Sequence, residues 1–166
     1  YTFRVFGRRS YDKETSCLDS ERKVSARSNG DNRQLAAAVQ SIQPVGWSPL
    51  SKAIENAYND LKKNGNSHQN VIFVISDNTD SCGRDPVLTS KKLNSSGVKA
   101  QIHFIGLDVS AEGEKDFKKI TDLSNGNFEV VTSQKEFNRV IEWYAQDLLR
   151  INEPWQMQAT DKITRN

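Results

Sequence analysis

Tyr1 to Phe6 alternates aromatic and β-branched residues with polar ones before Gly7, the period-two pattern of a strand that ends at a turn. Arg8 to about Asn32 is polar, with one short candidate strand near Val24, and reads as an excursion or an edge. From Asp31, a residue able to cap, Leu35, Ala38, Val39 and Ile42 recur at helical spacing, and Pro44 and Gly46 stop the helix they predict. Ser48-Pro49 reads as N-cap and first helical position of the next helix. Its stripe is Leu50, Ile54, Ala57, Tyr58 and Leu61, and it runs to about Lys63.

Val71 to Ile75 is a short, wholly apolar run rich in β-branched residues, the pattern of a central parallel strand covered on both faces. Asp85-Pro86 opens another helix in the manner of Ser48-Pro49, and Gly97 closes it. A strand over Lys99 to Gly106, a helix from about Ala111 to Leu123 and a short strand over Phe128 to Val131 follow. Ser133 and Glu136 form a capping box for a last helix with the stripe Phe137, Val140, Ile141, Tyr144 and Leu148. Past Arg150 the periodicity is lost and Pro154 intervenes. The expected organisation is therefore one domain over residues 1–150 and a tail or linker over 151–166. Strands and helices alternating at this spacing predict an α/β fold, a doubly wound, Rossmann-like and mostly parallel sheet. In such sheets ligands bind in loops outside the carboxyl ends of the strands, which directs attention to Pro44–Ser48 and Ser76–Asp85.

The 166 residues suit one domain with a real core. No apolar run approaches the roughly 18 residues needed to span a bilayer, and mean hydropathy is −0.69. The 23 Lys and Arg against 21 Asp and Glu interleave instead of forming blocks, which gives nucleic-acid binding no support. The chain begins at Tyr1 and its only methionine is Met157, so it is expected to derive from a longer precursor, with a signal peptide one candidate for what preceded it.

The loop after the apolar strand, Ser76 to Asp85, holds Asp77, Asp80 and Asp85. Carboxylates there suit a hard cation, and Mg²⁺ takes one or two carboxylates, hydroxyls and retained waters. Asp80 and Asp85 also read as ordinary turn and cap residues, whereas Asp77 is open between metal ligand and turn residue.

Gly46-Trp47-Ser48-Pro49-Leu50-Ser51-Lys52-Ala53-Ile54, the run Val71 to Asn78, and Asp80-Ser-Cys-Gly-Arg-Asp-Pro86 together resemble a von Willebrand factor type A domain over about Tyr1 to Asp147. Similarity is greatest to bacterial, exported members that carry a Ser-Cys-x-Asp segment early and a Cys-Gly-Gly-Asp-Pro-like segment later. Here those segments are Ser16-Cys17-Leu18-Asp19 and Cys82-Gly83-Arg84-Asp85-Pro86.

The resemblance implies a metal-ion-dependent adhesion site, in which three loops hold Mg²⁺ or Mn²⁺ and an open metal position accepts an acidic group of a protein partner. It assigns the second loop's hydroxyl to Ser48 and the third loop's carboxylate to Asp77, with Asn78 where the family usually has glycine; asparagine is tolerated in a left-handed backbone. Ser48 also reads as a plain N-cap, and Trp47 as either a partner contact or a cover for the core edge. The first loop, Asp-x-Ser-x-Ser, is missing, since the pentapeptide occurs nowhere in the chain and Tyr1 begins at what would be the second strand. The domain is thus expected to be N-terminally incomplete, with metal binding weak or absent in this chain alone.

In a chain resembling exported proteins, Cys17 and Cys82 are expected to form a disulfide, the alternative being two buried thiols. His68 reads as solvated and His103 as a satisfied sheet histidine. No general base lies near the loops, so a non-enzymatic binding module, extracellular or at a bacterial cell surface, is the leading reading. Metal-assisted hydrolysis or phosphoryl transfer through Asp77, and scaffolding without a metal, are the alternatives.

Overall fold

The computed structural model describes residues 1–25, 32–43, 45–63 and 70–151. Asp31, Pro44, His68 and the expected tail beyond 151 lie outside the described residues. The chain falls into two compact units, Tyr1–Val130 and Val131–Asn166.

In the first unit, β1 (Thr2–Phe6) and β2 (Ser20–Ser25) form an antiparallel ribbon in which Phe3 faces Val24 and Val5 faces Glu21. A register shift separates Phe3 from Arg4. Between the strands lies a short helix, α1 (Lys13–Cys17), nucleated by Asp12, whose carboxylate accepts the Thr15 amide at 2.8 Å. At five residues it is too short for apolar periodicity to reveal it. Next come α2 (Asn32–Gln40), which packs against β2, and α3 (Leu50–Lys63). They are followed by β3 (Asn70–Ser76), α4 (Pro86–Asn94), β4 (Ala100–Leu107), α5 (Ala111–Ser124) and β5 (Phe128–Val131). Strands β3, β4 and β5 make a three-stranded parallel sheet in that order, with Ile72 beside Ile102 and Val74 beside Phe104. The architecture is mixed α/β.

The core is built where α3 and α5 press on this sheet. Leu50, Ile54 and Tyr58 of α3 meet Ile72 and Val74, Ile102 and Phe104, and Phe117 and Ile120 of α5. Phe104 and Phe117 stack with centroids 4.4 Å apart, and both are fully buried. Each such side chain contributes about 2–3 kcal/mol by leaving water. Phe6 at the end of β1 packs against the same cluster and α3 also contacts β1 and β2, so α3 ties ribbon to sheet.

The structure corrects the reading of Val71–Ile75 as a central strand covered on both faces. Among the described residues β3 is an end strand of its sheet, and Ile75 is 43% exposed. The strand buried on both faces is β4, where Ile102, His103, Phe104 and Ile105 are all buried. In the second unit, α6 (Gln134–Ile151) begins at Ser133, whose hydroxyl accepts the Glu136 amide, and Glu136 reaches back to the Thr132 amide at 2.9 Å. Val140 and Tyr144 of the expected stripe are buried and Ile141 is exposed, while the Leu148 side chain lies outside the described residues.

Candidate functional site

Three segments distant in sequence meet beside the carboxyl end of β3: the connection from Gly7 to Asp19, the approach to α3 from Gly46 to Pro49, and the loop after β3. The second and third are tied by a reciprocal pair, in which the Ser48 amide donates to the Ser81 hydroxyl at 2.7 Å and the Ser81 amide donates to the Ser48 carbonyl at 3.0 Å. The first joins the second through the Gly46 amide, which donates to the Gly7 carbonyl at 2.9 Å, and the Ser16 hydroxyl, which donates to the Trp47 carbonyl at 3.1 Å. The Cys17–Cys82 disulfide joins the first to the third, with the expected pairing. Gly7 has φ +65°, and a Cβ there would meet the Trp47 carbonyl oxygen at 2.2 Å, so only glycine allows this approach.

Asp80 organises the loop after β3. One of its oxygens accepts the Cys82 amide at 2.9 Å and the Arg84 amide at 3.2 Å, and the other accepts the Ser51 amide at 2.8 Å. Ser51 lies in the first turn of α3, where backbone amides have no intrahelical acceptor, so a carboxylate from another loop caps α3. Arg84 fixes the loop further by a two-point ion pair with Glu55 of α3, which lowers the Glu55 pKa. Asp85 accepts the Val87 and Leu88 amides and is the N-cap of α4. Both aspartates therefore hold turn and cap positions, one of the two roles the sequence allows them.

With the Ser51 amide taken by Asp80, Ser48 is released from the capping role its place before Pro49 suggests. Its hydroxyl oxygen is buried and no hydrogen-bond partner reaches it. The Ser51 hydroxyl is likewise buried and without a partner. An uncompensated buried hydroxyl costs about 1–3 kcal/mol, so two at one helix start mark a place suited to a further polar group or a cation. Asp77, the first residue after β3, is exposed, so its carboxylate is open to ligands. One carboxylate with serine hydroxyls is a donor set that a hard cation such as Mg²⁺ accepts when waters complete the shell. Among the described residues no group of three or more histidine, cysteine, aspartate or glutamate side chains is placed to hold a metal.

The other expected residues fall as follows. Asn78 is exposed and its side-chain oxygen accepts the Thr79 amide at 2.9 Å. It does not adopt a left-handed backbone, since among the described non-glycine residues only Asp108 and Asn125 have positive φ. Trp47 is 40% exposed, and Lys13 Nζ sits 4.4 Å from its ring centroid. His103 is buried, accepts the Asn127 amide on Nδ1 at 3.1 Å and stacks on Phe73, as a satisfied sheet histidine does. Sequence reasoning missed the cap that Asp80 makes on α3, whose only local signal is an Asp two residues before Cys82, the spacing of an Asx turn. A disulfide persists in an oxidising environment, which is where this chain belongs. Among the described residues no helix is long and apolar enough to cross a membrane.

No family model matches the chain. It is 27% identical over 109 residues to the uncharacterized protein YwmD of Bacillus subtilis strain 168, a match covering 66% of this chain and 49% of that protein. To the uncharacterized protein YwmC of the same strain it is 22% identical over 139 residues, 82% of this chain and 60% of that protein. The matched regions thus span about half to three-fifths of these relatives. Among solved structures, the conserved hypothetical protein BatB from Bacteroides thetaiotaomicron matches with a TM-score of 0.53 at 15% identity, over 80% of this chain and 76% of that one. The likeness to BatB is one of fold.

Proposed function

We propose that this chain is most of a von Willebrand factor type A-like domain, doubly wound, that binds a protein partner through a divalent cation and is exported by a bacterium. The observation that carries the reading is the Ser48 hydroxyl, buried and unpartnered beside the loop that bears Asp77, because the structural role that would otherwise explain a serine there is filled by Asp80. Ser48 and Asp77 would hold Mg²⁺ or Mn²⁺, and the bound cation would supply an open coordination position for a carboxylate of the partner. Trp47 and Asn78, both exposed, flank Ser48 and Asp77 in the chain and would contact that partner.

The reading further expects a strand and an Asp-x-Ser-x-Ser loop from residues outside these 166. Two features support it: the ribbon β1–β2 and the sheet β3–β4–β5 are separate although α3 contacts both, and the outer face of β3 leaves Ile75 exposed. The fold likeness to BatB is compatible with it, the disulfide agrees with an oxidising environment, and the Bacillus relatives agree with a bacterial source.

Thermal unfolding with and without Mg²⁺ or Mn²⁺ tests the reading. A cation bound only by the folded state stabilises by RT ln(1 + [L]/Kd), about 2.7 kcal/mol at a hundredfold excess over Kd. The 166-residue chain should show little shift, and a chain carrying the expected first strand and loop ahead of Tyr1 should melt higher in metal. Asp77→Ala should abolish that shift and Ser48→Ala reduce it. No shift in the extended chain, or one indifferent to Asp77, overturns the proposal. So does turnover of phosphatase, esterase or protease substrates that Asp77→Ala removes, which would make the protein a metal-assisted enzyme.

A further inference from the structure

We infer that the lobe around α1 and Trp47 is a docking surface, independent of any metal, for a protein segment that presents a carboxylate next to an aromatic or aliphatic side chain. Tyr11 is 82% exposed, Leu18 76% and Trp47 40%. Each is one residue from a contact that stitches the lobe together. The Ser10 carbonyl lies so near Gly46 that a Cβ there would come within 2.2 Å, and Cys17 is bonded to Cys82. Large apolar side chains are thus displayed from a braced scaffold, which lowers the entropy lost when a partner orders them. Tryptophan and tyrosine are also the residues that most often dominate protein interfaces.

Charge selects the partner. The other cations of the lobe are paired with carboxylates, Arg8 with Glu21 at 2.7 Å and Arg9 with Asp19 at 3.2 Å, and Lys23 nearby also reaches Glu21 at 3.0 Å. Lys13 has no carboxylate partner among the described residues and rests on the Trp47 ring. An exposed cation–π contact is worth about 0.5–1 kcal/mol and leaves the three ammonium donors available. A partner carboxylate on Lys13 would bring a neighbouring apolar side chain onto Trp47, on whose ring Lys13 rests. Glu14 is the adjacent helix position, and adjacent positions do not share a face. Between Arg8 and Glu21 the lobe holds Arg8, Arg9 and Lys13 against Asp12, Glu14, Asp19 and Glu21, so it has none of the basic excess that anionic lipid or nucleic acid requires.

The test is a titration of the ¹⁵N-labelled protein, kept oxidised and in EDTA, with the blocked peptide Gly-Asp-Phe-Gly and its counterpart Gly-Asn-Phe-Gly at millimolar concentration. The acidic peptide should shift the Trp47 indole N–H and the Lys13 amide, and the Asn peptide should bind about tenfold more weakly, the scale of one charge-assisted hydrogen bond. Lys13→Glu and Trp47→Ala, both surface changes, should remove the response while the remaining resonances report an intact fold. Equal binding by the two peptides, no shifts at all, or shifts that map outside the lobe would overturn the inference. Shifts that appear only when EDTA is replaced by Mg²⁺ would place the contact at the proposed cation site instead. Indole shifts that follow protein concentration without peptide would put a second copy there. Failure of the metal proposal leaves the expected result unchanged, so the two fail separately.

Discussion

The Ser51 amide donates to Asp80 at 2.8 Å, so the first turn of α3 depends on a residue almost thirty positions away. Removing that carboxylate strands three amides at once, those of Ser51, Cys82 and Arg84. Loss of a helix cap costs about 1 kcal/mol and a hydrogen bond to a charged group about 1.5–3. Asp80→Ala should therefore lower stability by about 2–3 kcal/mol in urea unfolding. Ser48→Ala deletes a buried hydroxyl that has no partner and should change stability by less than about 0.5 kcal/mol, or raise it. From the chain alone the order would be reversed, because Ser48 precedes Pro49 in the manner of a cap. A loss at Ser48→Ala equal to that at Asp80→Ala would show that the serine hydroxyl is the working cap. Gly7 offers a second check, since alanine there combines a positive φ with a clash on the Trp47 carbonyl and should cost more than 1 kcal/mol, roughly the scale of a backbone-incompatible substitution.

At the scale of elements, the β1–β2 ribbon carries a cluster of ion pairs centred on Glu21 of β2. Glu21 accepts from Arg8 at 2.7 Å and pairs with Lys23 at 3.0 Å, and these cations, Arg8 first, lower its pKa to about 2. A carboxyl depressed in the folded state stabilises above its unfolded pKa, and the contribution fades as pH falls through the folded value. The ribbon's stabilisation by Glu21 should therefore be complete above about pH 5 and decline from there towards pH 2, because the unfolded carboxyl titrates near the ordinary glutamate value of 4.5. Denaturation of the wild type and Glu21→Gln from pH 6 to pH 2.5 should give curves that converge in acid, and salt should narrow the gap since the pair is partly exposed. A gap constant with pH would exclude the ion pairs as its source. The elements with strong periodicity were legible without coordinates: α3, α5 and α6, the apolar β3 and β4, and the Asp85-Pro86 start of α4 all lie within a residue or two of where their patterns place them. Helix α1 was not, because a five-residue helix capped by one aspartate leaves no repeat to read. The position of β3 at the end of its sheet was not legible either, because an apolar run reports burial in general and says nothing of which neighbour supplies it.

At the scale of the whole molecule, the disulfide joins α1 to the loop after β3 across 65 residues, and β2, α2, α3 and β3 all lie between its ends. Of the candidate site, this pairing and the approach of the Ser48 and Asp77 loops could be expected from the chain. The clamp of Ser10, Ser16 and Gly46 could not, because it consists of a close backbone approach and one hydroxyl donating to a distant carbonyl, neither of which leaves a pattern in the sequence. Closing a loop of that length stabilises by about 4 kcal/mol in the chain-entropy model, a large share of the 5–15 kcal/mol typical of a domain. Protein purified without reductant should show no titratable thiol after denaturation. Reduction should then lower the urea midpoint, and the slope m should rise, because the uncrosslinked unfolded chain exposes more surface. The Ser48–Ser81 pair, the Asp80 cap and the Arg84–Glu55 ion pair remain after reduction, so the reduced protein should still fold cooperatively at low denaturant, with the Trp47 environment retained. Cys17→Ala with Cys82→Ala should reproduce the reduced protein and be indifferent to reductant. Two thiols found in the untreated protein would refute the disulfide and remove the main support for an oxidising compartment; a midpoint unmoved by reduction would mean that the non-covalent contacts alone set the lobe against α3.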